Sequence, residues 1–133
     1  MPFDPTHYPH ANLTEKIIGT AMAVHRAPGP GLDEKIYENA LGIELTAESL
    51  SFTQQQQFPV FYREQNVGRL ITDLIVENKA IIETKVALAI NDVHIAQALS
   101  YLSISGLQVC LILNFKTASL TFKRVANIYL QNP

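Results

Sequence analysis

The chain has a single cysteine among 133 residues, which excludes an internal disulfide. Cys110 sits in a strand-like apolar run, where a buried structural thiol is expected rather than a nucleophile. Long hydrophobic runs are missing as well. The longest, such as Val109 to Leu113, fall far short of the roughly 20 apolar residues a membrane-spanning helix needs. The N-terminal Met-Pro-Phe-Asp-Pro lacks a basic segment followed by an apolar one, so no secretion signal is expected. Together these absences point to a reduced cytoplasm and no membrane partner. Positive charge is not in excess: 10 Lys and Arg stand against 12 Asp and Glu, for a net charge of −2 and a pI near 6.0. No global basic field would therefore draw in nucleic acid. No Cys/His cluster has zinc spacing, and the P-loop, GxGxxG and GxSxG patterns are absent.

What remains suits one domain with a real core. Hydrophobic residues make up 47% of the chain, which is globular composition, not disordered. Residues 1–12 read as an irregular arm, 13–125 as a single domain and 126–133 as a tail. Asn12 followed by Glu15 resembles a capping box, opening a helix whose inner stripe is Leu13, Ile17, Ile18, Ala21, Met22 and His25. Pro28-Gly29-Pro30-Gly31 ends it. A second helix is expected over 32–48, with Ile36, Tyr37, Ala40, Leu41 and Leu45 inward, then a strand over 56–63. Strands over 70–76 and 80–86 form a hairpin. Asn91-Asp92 caps a third helix that runs to Ser105 and stops at Gly106. Leu107 to Phe115 reads as a central strand covered on both faces, and 119–125 as an edge strand. The order α-α-β-β-β-α-β-(β) implies an α/β sandwich around a mixed sheet.

The hairpin carries the chemistry. Asp73, Glu83 and Lys85 lie inside strands otherwise made of Ile, Leu and Val. Buried charge is costly unless it is paired or binds a metal. Glu83 and Lys85, two apart, share a face. A two-residue turn would set Asp73 opposite Ile82, whereas a three-residue turn (Glu77-Asn78-Lys79) sets it opposite Glu83. The second register also pairs Ile75 with Ile81, Thr72 with Thr84 and Ile71 with Lys85. It leaves Leu70, Leu74, Val76, Ala80, Ile82 and Val86 together on the other face, so the three-residue turn is expected. Two neighbouring carboxylates repel unless a cation lies between them. Mg²⁺ uses few carboxylates and leaves room for water and phosphate oxygens. Lys85 beside them could orient, or help deprotonate, an attacking water. The competing reading is a salt bridge on an exposed sheet face, and spacing alone does not choose between them.

Three further groups bear on the site. His94, Gln97 and Tyr101 share a face of the third helix, while Ile95, Leu99 and Leu102 form its apolar stripe. Gln97 and Tyr101 could hold a phosphate or a bound water, or form a half-buried polar edge with the phenol bonded to backbone. Glu34, in the first turn of the second helix, is favoured there by the helix dipole or adds a ligand to a metal. His25, on an apolar face, is more simply a satisfied core residue.

These motifs coincide in order. Gly31-Leu-Asp-Glu34-Lys-Ile-Tyr37 spells GxxExxY, followed by Asp73, Glu83-Thr-Lys85 and Gln97-Ala-Leu-Ser-Tyr101. Over roughly 13–125 the chain resembles the GxxExxY family of small bacterial proteins, placed in the PD-(D/E)XK nuclease superfamily. The resemblance implies a restriction-endonuclease-like αβββαβ core, a mixed β-sheet flanked by helices. It also implies Asp73 and Glu83 as metal ligands with Glu34 as a helical acid, Lys85 as the catalytic lysine, and Gln97 and Tyr101 as the QxxxY element supporting them. His25 matches loosely a histidine that some such nucleases add to the metal shell. Thr72 stands where the name-giving proline would be. The expected function is Mg²⁺- or Mn²⁺-dependent phosphodiester hydrolysis of nucleic acid, DNA foremost, with a homodimer or protein partner supplying grip. The alternative is a non-catalytic binding or regulatory module that keeps the nuclease fold.

Overall fold

Ile17, Ile18, Ala21 and Val24 recur at helical spacing, and they are the residues the first helix buries in the core. A computed structural model describes residues 9–127. Its elements are α1 (Ala11–Arg26), α2 (Glu34–Ala47), β1 (Phe52–Tyr62), β2 (Gln65–Val76), β3 (Ala80–Lys85), α3 (Asp92–Ser105), β4 (Val109–Asn114) and β5 (Thr121–Ala126). The expected αβββαβ order is present from α2 to β4, with α1 before it and β5 after it. Most of the expected N-terminal arm and C-terminal tail lie outside the described residues. Among the described residues no helix is long and apolar enough to cross a membrane.

The five strands lie in the order β1-β2-β3-β4-β5. All neighbours are antiparallel except β3 and β4, which run parallel and are joined through α3. α1 and α2 cover one face, packing Ile17, Tyr37 and Leu41 against Leu74, Val76, Ile82 and Leu111. α3 covers the other, packing Ala98, Tyr101 and Leu102 against Ile75, Ile81, Cys110 and Ile112. β4 is buried along its whole length, as an apolar run covered on both faces should be. Cys110 is fully buried, and burial pushes its thiol well above the ordinary range, so it is a structural residue.

Several local expectations need correction. α1 starts from His10 in a left-handed conformation with no side-chain cap, so the Asn12/Glu15 box does not form. Met22 is largely outside the core and Val24 fills its place. In α2, Ile36 is exposed and Glu38 is buried instead. In α3, Leu99 is exposed while Ala98 and Tyr101 turn inward. In α2 the inward turn of Glu38 follows from its partners: Lys35 on its own helix, and Gln54 and Gln55 on β1, which only the assembled fold supplies. β1 and β2 are also longer than expected, beginning at Phe52 and Gln65. The capping of α3 is as read: Asn91 Oδ1 accepts from His94 N at 3.1 Å, His94 Nδ1 accepts from Asn91 N at 3.2 Å, and Gly106 ends the helix in the left-handed region.

The link between α1 and α2 is held by Tyr37. Its hydroxyl donates to Gly29 O at 2.5 Å and accepts from Leu32 N at 3.2 Å, while its ring stacks on Phe115 at 4.5 Å. Gly31, at φ 111°, gives the link a backbone conformation that side chains resist. We expect Tyr37→Phe to lose about 1 kcal/mol in urea unfolding, with an unchanged far-UV spectrum. Leu41→Ala, in the centre of the core, should lose about 2–5 kcal/mol.

Candidate active site

The β2–β3 ladder pairs Leu74 with Ile82, Ile75 with Ile81 and Val76 with Ala80. This is the three-residue-turn register, with Glu77 and Asn78 both at positive φ and Lys79 N bonded to Val76 O at 2.9 Å. The ladder stops there. The expected rungs Thr72–Thr84 and Ile71–Lys85 do not form, because β2 parts from β3 at Asp73. β2 continues alongside β1 out to the Tyr62–Gln65 pair, while β3 continues alongside β4 to the Lys85–Asn114 pair. Asp73 and Glu83 stand where the strands fork.

Side chains take over the missing rungs. Thr84 N donates to Asp73 Oδ2 at 2.8 Å, Thr84 Oγ1 to the same oxygen at 2.9 Å, and Asp73 N to Glu83 Oε1 at 3.3 Å. Asp73 is also skipped in the β1 ladder, where Gln54 pairs with Leu74 and Gln56 with Thr72 but Gln55, at φ 58°, pairs with neither strand. This kink reverses the faces of the two strands. Phe52, Leu74 and Val76 face the α1/α2 core, whereas Phe58 and Leu70 join the α3 cluster. Leu70 therefore leaves the group in which alternation had placed it.

The two acids have no salt-bridge partner among the described residues, although the Lys85 charge partly offsets the rise in pKa at Glu83. Glu83 is 5% exposed, and burial, with the neighbouring Asp73 charge, pushes its carboxyl up to about 8. Asp73 is raised too, first by burial and further by Glu38, against the lowering effect of the Thr84 bonds. Among the described residues Lys85 forms no salt bridge with either acid; its Nζ donates to Gln97 Oε1 at 3.0 Å. The salt-bridge alternative is thus not what forms.

α3 contributes Gln97 and Tyr101 as a pair. Burial and then the Glu83 and Asp73 charges push the Tyr101 phenol up to about 12, which puts the ring within their field. The phenol is not bonded to backbone among the described residues. Glu34 is brought to the far end of β3, where Oε1 accepts from Val86 N at 3.3 Å, and it makes no bond to Asp73 or Glu83. His94 is occupied in capping α3. His25 bonds Thr117 O through Nε2 at 2.9 Å and stacks on Phe115, the satisfied core role. Among the described residues no three His, Cys, Asp or Glu side chains converge as a closed metal cage.

Sequence reasoning missed Glu38. It is 3% exposed, and its carboxylate accepts from Lys35 Nζ at 2.9 Å, Gln54 Nε2 at 2.5 Å and Gln55 Nε2 at 3.0 Å. Burial works to raise its pKa, but these donors outweigh it and hold the group below its ordinary value. Glu38 stays ionised, and its charge bears on both Asp73 and Glu83. The signal was a charged residue one turn after Glu34, on the stripe with Leu41 and Leu45, followed by the four consecutive glutamines at 54–57.

Residues 11–125 match the family model of the PD-(D/E)XK nuclease superfamily, whose restriction-endonuclease-like fold has the mixed sheet and flanking helices described above. No curated protein and no solved structure matches the chain.

The raised Glu83 value makes stability depend on pH. Between its ordinary value of 4.5 and about 8, the folded protein holds a proton that the unfolded chain has released. Stability in metal-free buffer should therefore fall as pH rises through that window, at up to about 1.4 kcal/mol per pH unit, and level off above it. Glu83→Gln should flatten the profile. Urea midpoints across this range check it, and a stability that rises with pH in both proteins would contradict it.

Proposed function

We propose that this chain, which belongs to the PD-(D/E)XK nuclease superfamily, hydrolyses phosphodiester bonds in nucleic acid, DNA foremost, with Mg²⁺ or Mn²⁺ bound at Asp73 and Glu83. The observation that carries this reading is the forked hairpin: adjacent carboxylates, Glu83 buried and Asp73 half-buried, with raised pKa values and, among the described residues, no cation in a salt bridge with either. The donor set suits a hard divalent ion. Mg²⁺ needs only one or two carboxylates, because waters and substrate phosphates fill the remaining positions. The lack of a closed three-residue cage is therefore no obstacle. The bound ion would polarise the scissile phosphate and lower the pKa of a water.

The remaining work falls to the chain's own groups. The Lys85 ammonium, steadied by Gln97, positions the attacking water and offsets charge gathering on the phosphate oxygens. Water oxygen bonds to phosphorus and one P–O ester bond breaks, which leaves a phosphomonoester and a free hydroxyl. Tyr101, whose phenol stays protonated, can donate a hydrogen bond to a phosphate oxygen. Glu34 steadies the backbone just after Lys85, and its proposed share in the metal shell would require it to leave Val86 N. Glu38 keeps negative charge beside the two acids, which raises their pKa values and adds to the attraction for a divalent cation. The GxxExxY motif supports placing the chain within that branch of the superfamily.

One observation favours the second reading, a non-catalytic module that keeps the fold. Both carboxylates already serve as hydrogen-bond acceptors for backbone N–H groups, a structural use that needs no chemistry. Two experiments separate the readings. Purified protein with Mn²⁺ should cleave single- or double-stranded DNA, and Lys85→Ala should lower the rate about 100-fold or more; equal cleavage by both would rule out hydrolysis at this site. Calorimetry should show Mn²⁺ binding that strengthens as pH rises towards about 8 and releases a proton. Glu83→Ala should abolish it, and wild-type protein that binds no Mn²⁺ would favour the module.

A further inference from the structure

Beyond the fork, β1 and β2 pair with no other strand among the described residues. Their distal halves form a two-stranded ribbon closed by a two-residue turn, Arg63 (φ 47°) and Glu64 (φ 65°), between the paired Tyr62 and Gln65. A free ribbon of this kind is only marginally stable in water. Phe58 and Leu70 anchor its base to the α3 cluster. Its tip buries almost nothing: Phe61 is 61% exposed, Tyr62 65% and Val67 62%. The Arg63 guanidinium lies 5.9 Å from the centre of the Tyr62 ring. Arg69 Nη1 donates to Gln57 Oε1 at 3.2 Å across the two strands. Beside them a shallow groove of about 600 Å³ is lined by Gln57, Pro59, Asn66, Gly68 and Arg69.

We infer that this ribbon is the surface that grips the nucleic-acid strand: Phe61 and Tyr62 stack its bases, and Arg63 and Arg69 take its phosphates. The choice of nucleic acid rests on the function proposed above. The charge distribution supports it. Residues 56–72 carry Arg63, Arg69 and Glu64, a net of +1, within a chain of −2, which leaves −3 elsewhere. Exposed aromatics beside guanidinium groups are the elements of a sequence-tolerant stacking platform. A second copy of the chain fits less well. β1 is the edge strand of the sheet, and Pro59 in the middle of its free part removes a donor that edge-to-edge pairing would need. The ribbon also runs straight into the site. Eight residues separate Gln65 from Asp73, about 26 Å at strand rise, or about eight nucleotides at stacked spacing.

The test is binding of a fluorescent oligodeoxythymidine to the full chain in EDTA, where hydrolysis cannot intervene. The Phe61→Ala/Tyr62→Ala variant should bind a strand of about twenty nucleotides roughly five- to a hundredfold more weakly. A strand of about four nucleotides is shorter than the site-to-tip distance but still reaches the tip, so its weaker binding should fall in the same variant. Arg63→Ala should lower the slope of log affinity against log salt by about 0.7, and Glu64→Gln should tighten binding. These opposite shifts from two exposed tip residues cannot come from misfolding, and melting curves matched to the parent control for the aromatic pair. Unchanged affinity of the aromatic variant for the long strand would overturn the inference. So would a parent dimer that the variant converts to monomers with affinity per chain unchanged. Tip-dependent binding without Lys85-dependent cleavage in Mn²⁺ would sink the hydrolysis reading alone, and tip-independent binding with such cleavage would sink the ribbon alone.

Discussion

Two carboxylates do the work of two backbone rungs between β2 and β3, and the rest of the molecule's functional geometry follows from that exchange. An antiparallel pair normally holds together through N–H to C=O bonds. At Asp73 and Glu83 the N–H groups of Thr84 and Asp73 bond to side-chain oxygens instead, so the strands can separate without leaving buried donors unsatisfied. No buried side-chain polar atom among the described residues lacks a partner. The exchange carries an electrostatic cost, visible as raised pKa values on both acids. In return it opens a gap in the sheet, bordered by acids, at which α2 side chains from one face and α3 side chains from the other can meet. The free ribbon is the other product of the same break.

The GxxExxY segment makes physical sense once this fork is in view. Gly31 and Tyr37 close the link from α1 to α2, and the Tyr37 ring packs on Phe115, the residue that follows β4. Glu34 bonds Val86 N, just past β3. Phe115 N bonds Lys85 O at 2.9 Å, and the fully buried Asn114 holds Ala87 through both its amide oxygen and its amide nitrogen. The start of α2 is thus tied to the carboxyl ends of the two parallel strands. That is the end of an α/β sheet where binding sites gather, and these ties fix the backbone that presents Lys85.

Much of this was legible in the sequence, and what was not has identifiable causes. The hairpin register followed from requiring that three charges share a patch and that Ile75 meet Ile81. Asn91, Gly106 and the all-apolar β4 announced themselves through capping chemistry and burial on both faces. The reversal of faces at the fork did not. It depends on Gln55 adopting φ 58°, and a glutamine there carries no turn signal of the kind glycine or asparagine would. Leu70 was misplaced for that reason alone. Glu38 was passed over because a carboxylate is not expected in a buried helical stripe. Its three donors come from Lys35 and from Gln54 and Gln55, and the glutamines reach it only after β1 has kinked. Long-range partners of this kind have no local signature.

Charge balance ties the site to the ribbon. A polyanionic strand approaching this chain meets an excess of acids overall and, at the fork, Asp73 and Glu83 with no salt-bridge partner among the described residues. Coulombic repulsion would oppose binding there unless a divalent ion neutralises the acids and cationic side chains offset the remainder. Of the four arginines, Arg63 and Arg69 lie on the ribbon, Arg63 at its tip and Arg69 four residues, about 13 Å at strand rise, from Asp73. This separation keeps the guanidinium groups from collapsing onto the carboxylates as salt bridges, which would quench both. On the proposed reading, the acids stay available to a cation and the arginines to phosphate, and the kink at Gln55 and Asp73 holds the two apart.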